Sequence, residues 1–382
     1  MKIFHLSDLH IGIKLLNRDL SEDQIYILDQ ICDIAKERKP DVIVIAGDIY
    51  DKSNPSAEAV EIFNKFVNNL NNAVPNAYIM MISGNHDNIN RIDNFRDILA
   101  NHKIYMIGRP PMHENEHIEK VTVGDEYGDV NFYLLPFVKP SMVKEIVGVD
   151  DKGNNLSYDE SVKRLIKRED INYDERNVLV SHQFYLPSSK DAKEIERMDN
   201  EVVTVGNIDQ VKADILYDFD YAALGHIHKP MKVGSNYHRY CGTPLACSTS
   251  EANQQKAIIE VTLKTKGDIE VNTLPLTPLR NVRVIKGLYQ DVLKESSNDY
   301  VKIILTDKED LDVIDMQDRL RFNYPCLLEI SREAYKDNNY ELNYEHAKEL
   351  STFELCKEFL TDLNEEELEL LKDVINDIEG GQ

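Results

Sequence analysis

The feature that most constrains this chain is a run of five apolar residues, Val42-Ile43-Val44-Ile45-Ala46, ending on Gly47-Asp48. A β-branched run without polar alternation is the signature of a strand covered on both faces. It has a companion on each side. Ile3 to Leu6 forms a shorter buried strand closing on Ser7-Asp8, and Ala77 to Ile82 forms another, closing on Ser83-Gly84-Asn85. Between the first two strands, Ser21 and Gln24 form a capping-box pattern. Ile25, Leu28, Cys32 and Ala35 then fall at helical spacing, and Pro40 closes the helix. Between the second and third, Val60, Phe63, Val67 and Leu70 mark a second helix. This βαβαβ order requires a largely parallel sheet with helices outside it.

Further strands are expected at Val130 to Leu135, Val178 to Ser181, Tyr221 to Leu224, Tyr237 to Cys241 and Ala257 to Leu263. A helix capped by Ser157 and Glu160 precedes the Val178 strand, and the polar stretch 186–200 reads as a mobile loop. Two prolines within Thr273 to Pro278 suggest a boundary. Beyond it, 279–333 reads as a small α+β unit, with strands near Val282 to Ile285, Val301 to Leu305 and Cys326 to Ile330 and a helix near Val313 to Phe322. The expected organisation is therefore a main α/β domain at 1–276, a small α+β domain at 277–340 and a helical tail at 341–382. A chain of 382 residues that is 42% hydrophobic has the length and apolar content for this. No apolar run approaches the roughly 18 residues of a membrane span. The start of the chain lacks the long apolar core of a signal peptide. Five cysteines, Cys32, Cys241, Cys247, Cys326 and Cys356, form no CxxC pair, which fits a reducing cytoplasm better than a disulfide framework.

The chemistry lies where strands end. In open α/β sheets, ligands collect at the carboxyl edge of the strands. Five strands here close on side chains able to hold a metal: Asp8-Leu9-His10, Gly47-Asp48-Ile49-Tyr50-Asp51, Gly84-Asn85-His86-Asp87, Ser181-His182-Gln183 and Gly225-His226-Ile227-His228. Residues two apart in an extended segment point the same way, so Asp8 with His10, and His226 with His228, can grip one ion. The mixture of Asp, Asn and His suits borderline divalent ions better than an all-oxygen set would. Asp8, His10, Asp48, Asn85, His182, His226 and His228 are more ligands than one ion normally takes. A carboxylate shared by two ions about 3.5–4 Å apart would use them all. A single strand-end Asp or His is usually a cap or a satisfied surface group; five such clusters in one chain are not explained that way. His5, inside a strand, reads as core or as support for the ligands. His102, His113, His117, His238 and His346 have no such context.

The five clusters, in order over residues 8–228, match the DxH, GDxxD, GNHD, H and GHxH pattern of the calcineurin-like metallophosphoesterase superfamily, which the chain resembles. The implied fold is a two-sheet α/β sandwich carrying a small α+β capping domain and a C-terminal helical tail. Within the superfamily the nearer resemblance is to the SbcD family, the nuclease subunits of bacterial complexes that process DNA double-strand breaks. It is carried by Lys2 to His10, Ile45 to Asp51, Ser181 to Phe184, Ala223 to His228 and Tyr240 to Pro244. The resemblance implies that Asp8, His10 and His228 hold one ion, that Asn85, His182 and His226 hold the other, and that Asp48 bridges them. It also implies that His86 is the catalytic histidine at the scissile phosphate, with Asp87 hydrogen-bonding it to keep it oriented and protonated. Mn²⁺ is the favoured ion, with Mg²⁺, Fe²⁺ or Zn²⁺ as alternatives; bound, the pair would activate a water for in-line attack on phosphorus. Some archaeal and eukaryotic relatives carry a histidine where Asp51 stands, so that histidine's role is not transferred.

Charge complicates the DNA reading. The net charge is −24, and a protein this acidic is a poor non-specific binder of phosphate backbone. Lys14, Arg18, Arg91, Lys139 and Lys229 are candidate DNA contacts near the motifs, although each is equally well read as solvated surface charge. The resemblance resolves this by a partner: an SbcC-type coiled-coil ABC ATPase supplying much of the DNA surface, in a heterotetramer built on a homodimer of the nuclease subunit. The helices near 60–70 and 90–100 are candidate dimer surfaces. The tail 351–382 holds ten acidic residues against two lysines, yet Phe353, Phe359, Leu360, Leu368, Leu371 and Ile375 fall on an apolar stripe of two helices joined at Leu363-Asn364. Docking of that stripe on a coiled coil is the expectation, with docking on its own domain as the alternative. A dimetal phosphatase or phosphodiesterase acting on a non-DNA substrate is the competing function.

Overall fold

A computed structural model of the chain describes residues 1–186, 210–307, 313–333 and 367–372 apart from residue 369. The first strand, β1 (Lys2–Leu6), leads into α1 (Ser21–Arg38), β2 (Val42–Ala46), α2 (Ala57–Ala73), β3 (Tyr78–Ile82) and β4 (Ile104–Ile107). Then come β5 (Glu119–Asp125), β6 (Gly128–Leu135), α3 (Pro140–Val147), α4 (Tyr158–Lys167), β7 (Arg176–His182), β8 (Tyr221–Gly225), β9 (Met231–Val233), β10 (Ser235–Tyr240), β11 (Ala257–Leu263) and β12 (Ile269–Pro275). These build two six-stranded sheets, ordered β12-β11-β1-β2-β3-β4 and β9-β10-β8-β7-β6-β5. Strands β1 to β4 are mutually parallel, as are β6, β7, β8 and β10; antiparallel strands stand at three of the four sheet edges, and the parallel β4 is the fourth.

The sheets stack face to face, and the alternation within β2 shows why its run is continuously apolar. Val42, Val44 and Ala46 point into the layer between the sheets, where Val178, Val180 and Ala223 meet them. Ile43 and Ile45 point the other way, into the cluster formed with α1 and α2. Helices α3 and α4 cover the outer face of the second sheet. The result is the expected two-sheet sandwich with helices outside. In α1 the buried stripe runs through Ile27, Leu28, Ile31, Cys32 and Ala35, while Ile25 is exposed at its edge. The Ser157 cap is formed, its hydroxyl accepting from the Glu160 amide.

The Ser21–Gln24 capping box is not formed. The α1 N-cap is Leu20, and the buried Gln24 carboxamide instead accepts from the Gly12 amide at 2.9 Å and donates to the carbonyls of Leu9 (3.3 Å) and His10 (2.8 Å). Bracing the loop after β1 outweighs capping because those backbone groups are buried and have to be satisfied. Its neighbour Asp23 faces the other way. It accepts from the Tyr300 hydroxyl at 2.7 Å and from Arg280 at 2.6 Å. These bonds tie down a three-stranded parallel sheet of β13 (Val282–Gly287), β14 (Tyr300–Leu305) and β15 (Leu327–Arg332), with α5 (Val313–Asn323) between β14 and β15. That sheet has its own apolar cluster, including Val301, Ile303, Leu305, Leu320 and Tyr324.

Residues Met1–Arg332 form one compact unit and Glu333–Gln382 a second. All but one residue of the polar stretch 186–200 lies outside the described residues, as do Phe353, Phe359, Leu360 and Ile375 of the tail; Leu368 and Leu371 are helical and half-buried. No helix among the described residues is long and apolar enough to cross a membrane.

One buried ion pair gives a stability prediction. Arg176 at the start of β7 donates to both Asp125 oxygens, at 2.6 and 3.1 Å, and to the Lys264 carbonyl at 2.7 Å. Burial alone would raise the Asp125 carboxyl, but Arg176, the Met1 ammonium at 2.7 Å and the Tyr127 amide at 2.8 Å together outweigh it and hold the group well below the usual carboxylate range. A carboxylate depressed in the folded state adds stability that is fully present above its unfolded value near 4 and is lost as pH falls below it. Arg176→Met should therefore cost about 2 kcal/mol near neutral pH and make the acid limb of the pH–stability curve shallower without removing it, because the Met1 ammonium still pairs Asp125. Urea unfolding between pH 2.5 and 7 measures both.

Candidate metal centre

The five motif loops converge at the carboxyl ends of β1, β2 and β3 in one sheet and β7 and β8 in the other. The loops after β1 and β2 are laced together by Asp8 N–Gly47 O (2.9 Å) and His10 N–Asp48 O (3.0 Å) hydrogen bonds. Asp8 (φ 52°), His10 (φ 42°), Asp48 (φ 49°) and His226 (φ 103°) all lie in the left-handed region. Such strain in non-glycine residues persists only where the surroundings over-determine it, and it concentrates at functional sites. Two glycines are required by close approach: a side chain on Gly84 would collide with the Asp48 carboxylate, and one on Gly47 with the His182 ring.

The seven candidate ligands fall into two groups that share Asp48. In the first, His10 Nε2 lies 3.0 Å from His228 Nε2 and 3.5 Å from Asp48 Oδ2, while Asp8 Oδ1 is 4.0 Å from His228 Nε2. All four side chains are buried. In the second, Asn85 Oδ1 lies 3.1 Å from His182 Nε2 and 3.0 Å from His226 Nδ1, and Asp48 Oδ2 is 3.2 Å from His182 Nε2. The single Asp48 oxygen Oδ2 thus stands between a histidine of each group. Its other oxygen accepts from the His86 amide at 2.9 Å.

These residues fit metal ions on chemical grounds. His182 Nδ1 faces the Ala46 carbonyl at 2.7 Å, which fixes its proton there and makes Nε2 a lone-pair donor. Nε2, Asn85 Oδ1 and Asp48 Oδ2 are then three acceptors crowded together, an arrangement a cation reconciles. His10 Nδ1 is buried without a hydrogen bond. The electrostatics agree. Burial would raise the Asp48 carboxyl, but His182, His10 and His86 outweigh it and hold it well below its ordinary value. Burial would lower His182, but Asp48 and Asp8 outweigh it and raise it to about 9, so that without an ion a proton on Nε2 takes the place a cation would fill among these acceptors. Burial, reinforced by His228, pushes His10 well down.

His86 stands at the rim, half-buried, its Nδ1 donating to the Asp51 carbonyl at 2.9 Å. The expected Asp87–His86 hydrogen bond is not formed. Asp87 accepts instead from the backbone amides of Ile49 (3.0 Å), Tyr50 (2.9 Å) and Gly84 (2.9 Å), so it pins the β2 and β3 loops rather than the histidine. Burial and the nearby Asp48 push its carboxyl up to about 6. Asp51, where some relatives carry a histidine, has its carboxylate 3.8 Å from His10 Nδ1. His5 is a core residue: its ring meets the Tyr221 hydroxyl (2.9 Å) and the Leu224 carbonyl (3.2 Å), and burial lowers it to about 3, so it is neutral.

A cleft of about 280 Å³ opens beside Asn85, lined by Ser53, Asn88, Asn90, Phe137 and Lys139 among others. Of the candidate DNA contacts, Lys139 lines this cleft and Arg91 is exposed on the turn Ile89–Ile92 nearby. Lys14 and Lys229 are exposed. Arg18 is occupied otherwise, donating to the Pro325 and Leu327 carbonyls of the small sheet. Sequence reading missed Glu251 and Lys256. Both are buried behind His228, with Glu251 Oε1 3.5 Å from its Nδ1. Burial would raise Glu251, but His228 and Lys256 hold it at about 2. No spacing rule marks such a pair, since only the fold brings it to the site.

A family model for calcineurin-like phosphoesterases matches residues 1–230, a span that takes in all five motif loops. Similar solved structures include TT1561 of Thermus thermophilus, at 11% identity and a TM-score of 0.38 over 74% of this chain and 99% of that one. A dimetal phosphatase from Danio rerio matches at 13% identity and a TM-score of 0.40, over 74% and 99% of the two chains. GAP50, the anchor in the inner membrane complex of Plasmodium, matches at 12% and 0.36, over 72% and 89%. Likenesses this low carry nothing further about this chain.

Proposed function

The chain belongs to the calcineurin-like phosphoesterase family, and from that premise we propose that it is a metal-dependent DNA nuclease of the SbcD type. Phosphoester hydrolysis with two divalent ions is the family's chemistry. The finer reading is exonucleolytic cleavage of duplex ends and endonucleolytic cleavage of single strands and hairpins, in DNA end processing, repair and recombination. The observation that carries the hydrolytic part is the position of Asp48 between two groups of ligands. The nucleic-acid part is supported by the motif stretches named above and by a cleft that is open rather than enclosed, with Lys139 beside the ligand Asn85.

In this reading Asp8, His10, Asp48 and His228 hold one ion and Asp48, Asn85, His182 and His226 the other, with Mn²⁺ the ion of choice. Bound ions supply an activated water and offset charge on the phosphoryl oxygens. His86, with Nδ1 committed to the Asp51 carbonyl, offers Nε2 to the departing oxygen. The small sheet, braced to α1 by Asp23, caps the site and orients DNA. The tail, through Phe353, Phe359, Leu360, Leu368, Leu371 and Ile375, docks on an SbcC-type coiled-coil ATPase, whose basic surface compensates for this chain's charge of −24. Exposed Phe95 and Ile98, in the 90–100 segment, support pairing with a second copy of the subunit. The reducing cytoplasm is the compartment that suits the buried free thiols of Cys32, Cys241 and Cys247.

The test is hydrolysis of linear duplex DNA against an aryl phosphomonoester, both with Mn²⁺, with and without the ATPase. Preferential DNA cleavage, and a protein lacking 351–382 that still cuts DNA but no longer co-purifies with the ATPase, are expected. Faster turnover of the monoester would favour a phosphatase.

A further inference from the structure

We propose that Glu251, held in place by Lys256, is a positioning residue for His228 and sets the affinity of the ion that His10 and His228 share. The inference rests on the two-ion reading above, and it concerns residues outside all five motif loops.

Glu251 lies in the single turn Thr249–Glu251 after β10 and is 3% exposed; Lys256 is 5% exposed. The two glutamate oxygens have separate tasks. Oε2 accepts from Lys256 Nζ at 2.5 Å and from the Thr243 hydroxyl at 2.7 Å. Oε1 faces His228 Nδ1 at 3.5 Å, an ion-pair distance, and also accepts from the Cys247 amide at 3.4 Å. Lys256 Nζ also donates to the carbonyl of His228 itself at 3.2 Å, so this one buried lysine contacts both the carboxylate behind the ring and the backbone that carries it. On the other side, His228 Nε2 faces His10 Nε2 at 3.0 Å.

An imidazole carries one proton when neutral. A carboxylate behind Nδ1 draws that proton to itself, leaves Nε2 as the lone-pair donor toward the ion and fixes the ring's angle; such outer partners typically change metal affinity 10–100-fold. Stability is a weak reason for burying this pair, because apolar residues of similar volume would serve as well or better. The lysine balances the carboxylate, so the site gains a directed acceptor without a further uncompensated negative charge. The second group is built differently. His182 Nδ1 is held by a neutral backbone carbonyl, Ala46 O, at 2.7 Å. Removing the Glu251 charge should therefore weaken one ion and spare the other.

The experiment is a Mn²⁺ titration of the full chain followed by calorimetry, with bound manganese counted by mass spectrometry after gel filtration. Wild type, Glu251→Gln and Glu251→Asp are compared, and circular dichroism verifies each fold. Glu251→Gln keeps the shape without the charge; Glu251→Asp keeps the charge but withdraws it from Nδ1, and carries the test if the first variant does not fold. In each, one ion should bind with wild-type affinity and the other 10–100-fold more weakly. Folded variants that bind two ions as tightly as wild type overturn the inference and leave the two-ion reading intact. A wild type that binds no pair overturns the two-ion reading itself.

Discussion

Asp48→Asn should lose its ion pair and nearly all of its activity. The carboxylate offers one oxygen to both ligand groups, 3.5 Å from His10 and 3.2 Å from His182, and the other to the His86 amide. A carboxamide can still accept from that amide, so the loop keeps its brace. It cannot supply the negative charge that holds the three buried histidines, the half-buried His226 and any cation between them. Bound Mn²⁺ should fall from two per chain to one or none. The rate of DNA hydrolysis should fall by about 10³-fold or more, the scale on which a lost charge-stabilising group acts at such a centre. Metal analysis after dialysis and single-turnover kinetics with duplex DNA measure the two effects. An Asp48→Asn protein that keeps both ions would remove Asp48 from the bridging position.

His86→Ala should separate chemistry from metal binding. The hydrogen bond that His86 gives Asp48 comes from its backbone amide, which alanine keeps. The ring meets the Asp51 carbonyl through Nδ1 and lies edge-on to His10, with ring centres 4.9 Å apart. The ligand set should therefore stay loaded, while loss of a positioned proton donor lowers the rate by about 10²–10⁴-fold. His86→Ala with wild-type DNA cleavage, or with its ions gone, would mean that the ring does something other than assist the leaving oxygen. Because Asp87 holds backbone amides and not the ring, Asp87 substitutions belong with changes in loop stability and not with changes in the proton donor.

What was legible in the sequence follows from how the fold is held. The strands around Val42–Ala46 announce themselves because both faces are buried, and the ligands announce themselves because parallel strands deliver their carboxyl ends to one edge. The misreadings share one physical cause. Gln24 has the spacing of a capping residue, but its carboxamide is needed by buried backbone groups ten or more residues earlier in the chain. Asp87, adjacent to His86 in sequence, has its carboxylate turned into the loop, where three amides compete for it. Glu251 and Lys256 reach His228 only through the turn after β10, and no periodicity records that approach. Local patterns decide elements and the ends of elements. Which polar groups a side chain then satisfies is decided by tertiary packing, and the residues that stand behind the ligands belong to that level.

The most direct measurement is anomalous diffraction from crystals of the full chain soaked in Mn²⁺. Two manganese peaks are predicted, one on each side of the Asp48 carboxylate, the first among Asp8, His10 and His228 and the second among Asn85, His182 and His226. A single peak, or none within reach of Asp48, would contradict the paired-ion centre on which the proposed catalysis depends.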